Sequence, residues 1–163
     1  MIGVLRLAGG IACAVCLSQF PAFSDQYVQR LGGQVDSLAR VVQEFDASAT
    51  RAGLSREEAL ADLSGSRFRD LHQDDMRRAF TRLDHARADL AMLRIASPLE
   101  RMALPHRLRD TETLAATWSD FSPAIPVTAA GLWAAGIGFA GGWLLIALLS
   151  IPFRRQKQHL GWR

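Results

Sequence analysis

Cysteine is scarce in this sequence of 163 residues, which contains two, Cys13 and Cys16. Both lie in an apolar N-terminal stretch, so the polar residues 25–120 must fold without disulfides. A Cys-x-x-Cys pair can carry redox chemistry, but a thiolate is costly in an apolar helix that has no nearby base. We interpret the pair as small apolar filler. A membrane redox protein that uses Cys13 and Cys16 stays as a third function hypothesis.

Acidic residues are missing from both ends of the chain, because all 16 Asp and Glu fall within residues 25–120. The formal net charge of +3 therefore comes from the ends, whose charged residues are all basic. A nucleic-acid-binding protein concentrates its basic residues on one face of a folded domain. This distribution does not predict such a face, and we expect no nucleic-acid partner.

Charge of either sign is absent from residues 121–153. About 20 apolar residues suffice to cross a bilayer, so residues 123–153 are predicted to form a transmembrane helix rather than a buried helix of a soluble protein. A basic tail follows at residues 154–163, with Arg154, Arg155 and Lys157 and no acid. By the positive-inside rule this tail faces the cytoplasm, and the lipid bilayer is a partner of the chain.

The N-terminal residues 1–24 form a second hydrophobic segment, in which residues 7–24 are uncharged. This length is just sufficient for a transmembrane helix, and it also suits a signal peptide cleaved near Ser24. Residues 20–23 contain two bulky phenylalanines, which favour an interfacial exit over a small-residue cleavage site. We therefore favour an uncleaved span. Both alternatives place residues 25–120 outside the cytoplasm.

The polar residues 25–122 are predicted to form an extracytoplasmic helical hairpin or small bundle. No segment alternates with the period of two that strands require, so the fold class is all-α. Apolar residues instead recur every three or four positions in two long segments, which predicts two heptad helices that pair antiparallel. The predicted heptad seam consists of Val28, Leu31, Val35, Leu38, Val42, Phe45, Met76, Leu83, Leu90 and Leu93.

Helix boundaries follow from capping patterns. Ser55 and Glu58 form a capping box that opens a short helix, and a long helix is predicted over residues 67–96. Residues 97–100 form a second capping-box pattern with proline at the first helical position, and the last polar helix is predicted over residues 107–121.

Two interior features of the long helices also carry predictions. Gly32 and Gly33 are poor helix formers, so we expect a kink or a close backbone contact there. Asp74 precedes Arg78 by four residues, which is the favoured order for a surface ion pair.

Small residues recur every four positions in the C-terminal apolar segment, at Ala130, Ala134, Gly138 and Gly142. Such a helix-packing stripe lets two helices approach closely in lipid, where burial gives no hydrophobic gain. The stripe is predicted to pack either on the first apolar segment or on the same helix of a second copy.

No residue pattern points to catalysis, a cofactor or a metal. His72 and His85 each have an aspartate nearby on the same helix, but neither belongs to a His-Glu-x-x-His motif, and we interpret both as solvated. The alternating Arg and Asp of residues 67–94 are typical of a solvated helix face. We expect a protein that is not an enzyme, with no cofactor, catalytic residue or metal site.

Residues 18–33 read SQFPAFSDQYVQRLGG. This string resembles the opening of the DUF2937 family, small proteobacterial membrane proteins of unknown function, and the similarity extends through the polar helices to the C-terminal span. The resemblance implies a bacterial inner-membrane setting. In that setting the topology predicted above from the basic tail puts residues 25–120 in the periplasm and the C-terminus in the cytoplasm. It supplies no catalytic residues.

The sequence thus favours a membrane-anchored helical interaction or scaffold protein that binds another envelope protein or itself. The alternative is a small sensor or transport accessory subunit. Its cytoplasmic tail of ten residues would be too short for an output domain, so it would need a partner.

Overall fold

The computed structural model describes residues 2–123, 125 and 127–151, and these residues contain helices and no strand. The α-helices are α1 (Ile2–Ser18), α2 (Phe20–Arg51), α3 (Arg56–Asp62), α4 (Arg67–Ile95), α5 (Thr111–Asp120) and α6 (Ala129–Leu149), with 3-10 helices at Glu100–Ala103 and Pro105–Arg107. The all-α prediction is confirmed for the described part of the chain.

The chain divides into two compact units. The apolar unit takes its described residues from Met1–Asp25, Pro98–Ala103 and Asp120–Arg163. The polar unit consists of Gln26–Ser97 and Leu104–Ser119.

Two helical stretches are long and apolar enough to cross a membrane, Gly3–Arg51 and Ala129–Leu149. Only 11% and 17% of the residues in their most apolar windows are buried. The core helix of a soluble protein hides most of its apolar side chains from solvent. These two helices leave most of theirs on the outside.

The residues of the predicted interfacial exit, 20–23, are helical. Gln19 alone separates α1 from α2, and the backbone N–H of Phe23 donates to the carbonyl of Gln19 at 3.0 Å. Pro21 is the second residue of α2, a position where its missing N–H is not needed. Residues 20–23 are therefore the first turn of α2.

The backbones of α1 and α6 lie in close contact. A Cβ placed on Gly138 would lie 2.5 Å from the carbonyl oxygen of Cys13, and one placed on Gly142 would lie 2.7 Å from the carbonyl oxygen of Gly9. Real Cβ atoms essentially never come this close to another atom. Only glycine fits at both positions, and its hydrogen lets the two helices pack on backbone atoms.

The residues of the predicted stripe are not equally buried. Ala134, Gly138 and Gly142 are buried, whereas Ala130 is half-buried and Gly131 beside it is buried. Within this one chain, Gly138 and Gly142 lie against α1, which is the first of the two packing alternatives.

The 3-10 helix Glu100–Ala103 belongs to the apolar unit although it lies in the middle of the chain. Its Arg101 is buried, and Nη1 donates to Oδ1 of Asp25 and, at 3.5 Å, to Oγ of Ser24. The sequence predicted that an α-helix begins at this point. The observed helix is a single 3-10 turn, and the paired Arg101 fixes it to the start of α2.

The core of the polar unit comes mainly from α2 and α4. The rings of Phe45 and Phe80 meet edge to face at 5.5 Å, and Gly32 lies beside the guanidinium of Arg94. These two contacts show that α2 and α4 run antiparallel. The buried apolar side chains of this unit are Tyr27, Leu31, Val35, Val42, Ala49, Leu60, Met76, Leu83, Ala86, Leu90, Leu93 and Leu108. The seam positions Val28, Leu38 and Phe45 are half-buried.

Of the two alternatives predicted for the adjacent glycines of α2, a kink or a close backbone contact, the close contact is absent. The helix runs unbroken past them. A Cβ on Gly32 would meet a side-chain nitrogen of Arg94 at 3.2 Å, and one on Gly33 would meet open space. Gly32 therefore leaves room for a long side chain and not for another backbone.

The predicted start of the short helix is confirmed. The side chain of Ser55 accepts from the backbone N–H of Glu58 at 3.3 Å, and Oε2 of Glu58 accepts from the backbone N–H of Ser55 at 2.8 Å. The last polar helix begins later than the predicted residue 107. Pro105–Arg107 form a separate 3-10 turn, so α5 begins at Thr111.

Gly138→Ile is expected to weaken the association of α1 with α6, because its side chain would collide with the backbone of Cys13. Overpacking of this kind costs about 1–3 kcal/mol. Gly141→Ile is the matched control, since no atom lies within 4 Å of a Cβ on Gly141. An in-membrane association reporter that carries residues 1–25 and 123–155 on separate chains measures the effect. Equal signals from the two variants would contradict the packing described here.

Candidate functional site

Asp89 of α4 is a carboxylate buried in the polar unit, with 2% of its surface exposed. Its Oδ1 accepts from Nη1 of Arg107 at 3.0 Å and its Oδ2 accepts from Nε of Arg109 at 2.6 Å. An unpaired carboxylate would be very costly at such a position, and two guanidinium groups offset that cost. Because both arginines lie in the segment before α5, Asp89 holds that segment on α4.

A second ion pair lies on the same helix. Arg82 binds Asp110 with two nitrogens, Nε to Oδ2 at 2.8 Å and Nη2 to Oδ1 at 2.9 Å, and a third nitrogen donates to Glu112 at 2.6 Å. Oδ1 of Asp110 also accepts from the backbone N–H of Thr113 at 2.9 Å, which caps the start of α5. A fork-to-fork arginine–carboxylate pair is the strongest ion-pair geometry available to side chains.

The pKa values of this second pair follow from its geometry. The hydrogen bonds from the Arg82 side chain lower the pKa of the Asp110 carboxyl to about 2, with help from the Thr113 amide. The same bonds raise the pKa of the Arg82 guanidinium above its usual value. Both groups are fully charged at neutral pH.

Tyr27 joins α2 to the same cluster. Its ring is buried, and its hydroxyl oxygen accepts from the backbone N–H of Asp110 at 3.3 Å. Burial raises the pKa of the phenol to about 12, so Tyr27 stays neutral and acts as a fixed hydrogen-bonding group.

Above these ion pairs lies a cleft of about 410 Å³. This volume falls in the range of small-molecule sites, roughly 300–1,000 Å³. The cleft is lined by Arg77, Arg78, Thr81, Arg82, His85, Ala86, Asp89, Arg109 and Asp110.

The interpretation of residues 67–94 as a solvated face is wrong for two of them. Asp89 is buried and Arg82 is half-buried. The signal that could have revealed Asp89 is its register, because it falls between Ala86 and Leu93, both on the buried face of α4. The long separation of Asp89 from Arg107 and Arg109 hid the partners.

The predicted surface pair on α4 is also wrong in its acidic member. Nη2 of Arg78 donates to Asp75 at 2.6 Å, three residues before it, and not to Asp74. The shorter spacing lets the exposed guanidinium reach the carboxylate within one turn of the helix.

Of the other residues singled out from the sequence, only one histidine lines the cleft. His72 is exposed and stacks on Phe68, whereas the exposed His85 lines the cleft. Cys13 and Cys16 are free thiols in α1. The predicted topology residues Arg154, Arg155 and Lys157 lie outside the described residues. Among the residues that are described, no group of three His, Cys, Asp or Glu could hold a metal ion.

The chemistry of the cluster is that of fixed charges. The oxygens of Asp89 and Asp110 accept from guanidinium or amide donors, so both carboxylates are held in a fixed orientation. Arg77, by contrast, forms no side-chain hydrogen bond or ion pair within the described ranges, and the terminal nitrogens of Arg109 likewise donate to none of the described groups. The cleft thus presents cationic donors above a neutralised floor.

A model of the DUF2937 family, described as a protein of unknown function, matches residues 1–158. No curated protein and no solved structure matches the chain.

Acid is expected to destabilise the fold through Asp110. Its folded pKa lies below the ordinary value of 3.8, so its contribution is present above about pH 4 and is lost as the pH falls towards 2. The unfolding free energy of wild type should decrease between pH 5 and pH 2. In Asp110→Asn this decrease should be smaller by about 1–2 kcal/mol, a figure that allows for partial solvent screening. Chemical unfolding of the full chain in detergent measures this, with the exposed Asp36→Asn as control. The same acid dependence in wild type and Asp110→Asn would contradict the assignment.

Proposed function

The chain belongs to the DUF2937 family, and from that premise we propose that it is a non-enzymatic, membrane-anchored helical interaction or scaffold protein of the bacterial inner membrane. The observation that carries this proposal is the division of the chain into an apolar unit packed on glycines and a polar helical unit with an exposed apolar face.

Membrane anchoring is supported by the surfaces of α1 and α6. Their outward side chains are large and apolar, as at Leu5, Ile11, Trp133 and Leu144, each at least half exposed. Their inward contact is centred on glycines of both helices. Large apolar groups outside and small residues inside is the arrangement that lipid favours, and water would penalise it.

The proposed topology places the N-terminus and the C-terminal tail in the cytoplasm and residues 25–120 in the periplasm. Arg6 precedes the first apolar stretch, and Arg154, Arg155 and Lys157 follow the second. Basic residues at both cytoplasmic ends agree with the positive-inside rule.

The interaction role is supported by an apolar stripe on the exposed side of α4. Ala88, Ala91, Met92 and Ile95 are all exposed, and Ile95 exposes 85% of its surface. Their spacing of three, one and three residues places them on one helix face. We propose that this stripe packs against a helix of another envelope protein or of a second copy.

A sensor or transport accessory subunit is the second candidate. The cleft of the polar unit favours it, because four arginines around a space of about 410 Å³ suit the recognition of a small ligand.

Enzyme fusions test the topology. Alkaline phosphatase fused after Asp120 should be active, since it folds only outside the cytoplasm, and the same enzyme fused after Arg163 should be inactive. The reverse pattern would refute the arrangement. A mature protein that begins at Asp25 would keep the location of residues 25–120 but turn the first helix into a signal peptide.

Photo-crosslinking in intact cells tests the interaction role. A photoreactive side chain at Met92 should give a discrete adduct, and Ile95→Asp should remove it because a charge cannot be buried in an apolar contact. The same probe at Asp74, exposed near the other end of α4, is the control. An adduct of twice the chain mass identifies a second copy, and an adduct of any other mass identifies another protein. Equal adducts from both positions, or none from Met92, would count against the proposal.

A further inference from the structure

We propose that the cleft of the polar unit binds the phosphoryl group of a small anion. The cleft is lined by Arg77, Arg78, Thr81, Arg82, His85, Ala86, Asp89, Arg109 and Asp110. This inference does not depend on the membrane topology or on the stripe of α4, and it concerns a ligand site that the interaction role does not include.

The charge of the lining favours an anion. Four arginines and two aspartates line the cleft, a surplus of two positive charges among the lining residues. Outside the lining, the exposed Asp75 pairs with Arg78 at 2.6 Å. A phosphate ester near neutral pH carries about one and a half to two negative charges. Glu112, which lies outside the lining, pairs with Arg82 at 2.6 Å and is 74% exposed, so its effect on the cleft is screened by solvent.

The aspartates of the floor do not compete with an incoming anion for the remaining donors. Both oxygens of Asp89 already accept from arginines, and both oxygens of Asp110 accept from Arg82, one of them also from an amide. Each carboxylate charge is therefore offset by the guanidinium groups that bind it, so it repels an incoming anion less than an unpaired carboxylate would.

Besides Arg78, which spends one nitrogen on Asp75, two arginines of the lining keep unused donors. Arg77 is exposed and makes no side-chain hydrogen bond within the described residues, and Arg109 spends only Nε on Asp89. The guanidinium fork matches the oxygens of a phosphate in geometry and charge. His85, one turn beyond Thr81 on the same face of α4, adds an imidazole at the wall of the cleft.

The floor is preorganised, which lowers the cost of binding. Asp89 exposes 3% of its side chain and fixes Arg109 through a bond of 2.6 Å. An arginine held in place loses less side-chain entropy when it binds a ligand than one that is mobile. Arg109 therefore supplies the fixed contact and Arg77 the contact that closes on the ligand.

The structural role of the two arginines differs, and this difference makes the proposal testable. Arg109 neutralises a buried carboxylate, so its loss would disturb folding. Arg77 has no such partner among the described residues, so Arg77→Gln should fold normally. Arg87 is exposed on the same helix and does not line the cleft, so Arg87→Gln is the matched control.

The experiment uses the full chain in nanodiscs of zwitterionic lipid. Inorganic phosphate and glycerol phosphate are titrated at constant ionic strength, and the rise in melting temperature gives the apparent affinity. We expect a saturable rise in melting temperature for wild type. The affinity of Arg77→Gln should be about tenfold weaker, which is the loss typical of one charged hydrogen bond. The affinity of Arg87→Gln should stay within about twofold of the wild-type value. No phosphate-dependent rise in wild type, or equal losses in both variants, would overturn the proposal.

A parallel titration distinguishes the source of the phosphoryl group. In nanodiscs that contain phosphatidylglycerol, a lipid headgroup in the cleft would raise the melting temperature before any phosphate is added, and Arg77→Gln would abolish that rise. If the ligand is a soluble phosphate ester, both kinds of nanodisc give the same titration. Either result supports the phosphoryl site, and the phosphatase fusions would report on topology independently of both.

Discussion

Asp89 can stay buried only while Arg107 and Arg109 are bound to it, and the second half of the polar unit depends on this requirement. The two arginines bring the segment before α5 onto α4. Asp110 is thereby placed where it can pair with Arg82, cap α5 through Thr113 and donate its backbone N–H to Tyr27. One buried carboxylate thus fixes the relation of three helices in a unit whose apolar core is modest.

The apolar unit depends on a different constraint, the absence of side-chain atoms. At Gly138 and Gly142 the space that a Cβ would need is taken by backbone atoms of α1. Van der Waals contact between backbones is the main attraction available to helices in lipid, because apolar side chains gain no hydrophobic free energy by leaving lipid for one another. In water the polar unit gains free energy when Leu31 or Leu83 is buried, and a unit surrounded by lipid would gain none from such burial. If the apolar unit lies in lipid as proposed, one physical reason accounts for the different residues of the two units, namely the solvent that each one faces.

The sequence predicted the helices well because they rest on local signals. The heptad repeat located α2 and α4, and Ser55 with Glu58 located the start of α3. It failed where the structure depends on distant partners. No pattern near Asp89 in the sequence indicates that arginines 18 and 20 residues away neutralise it. The same holds for Arg101, which binds Asp25 across 76 residues. Charged residues in an amphipathic helix look solvated until their partners are known.

A purely structural role explains most of the arginine cluster, but it does not explain the presence of Arg77. A purely structural network needs enough arginines to neutralise Asp89 and Asp110, and Arg107, Arg109 and Arg82 already do so. Arg77 adds a positive charge to the same space without contributing to that balance, and like charges close together raise the free energy of the folded state. An anion in the cleft would remove this repulsion and would be held by the donors that the fold leaves unused. Because Arg109 binds Asp89 and faces the cleft, such an anion would also stabilise the segment that leads into α5.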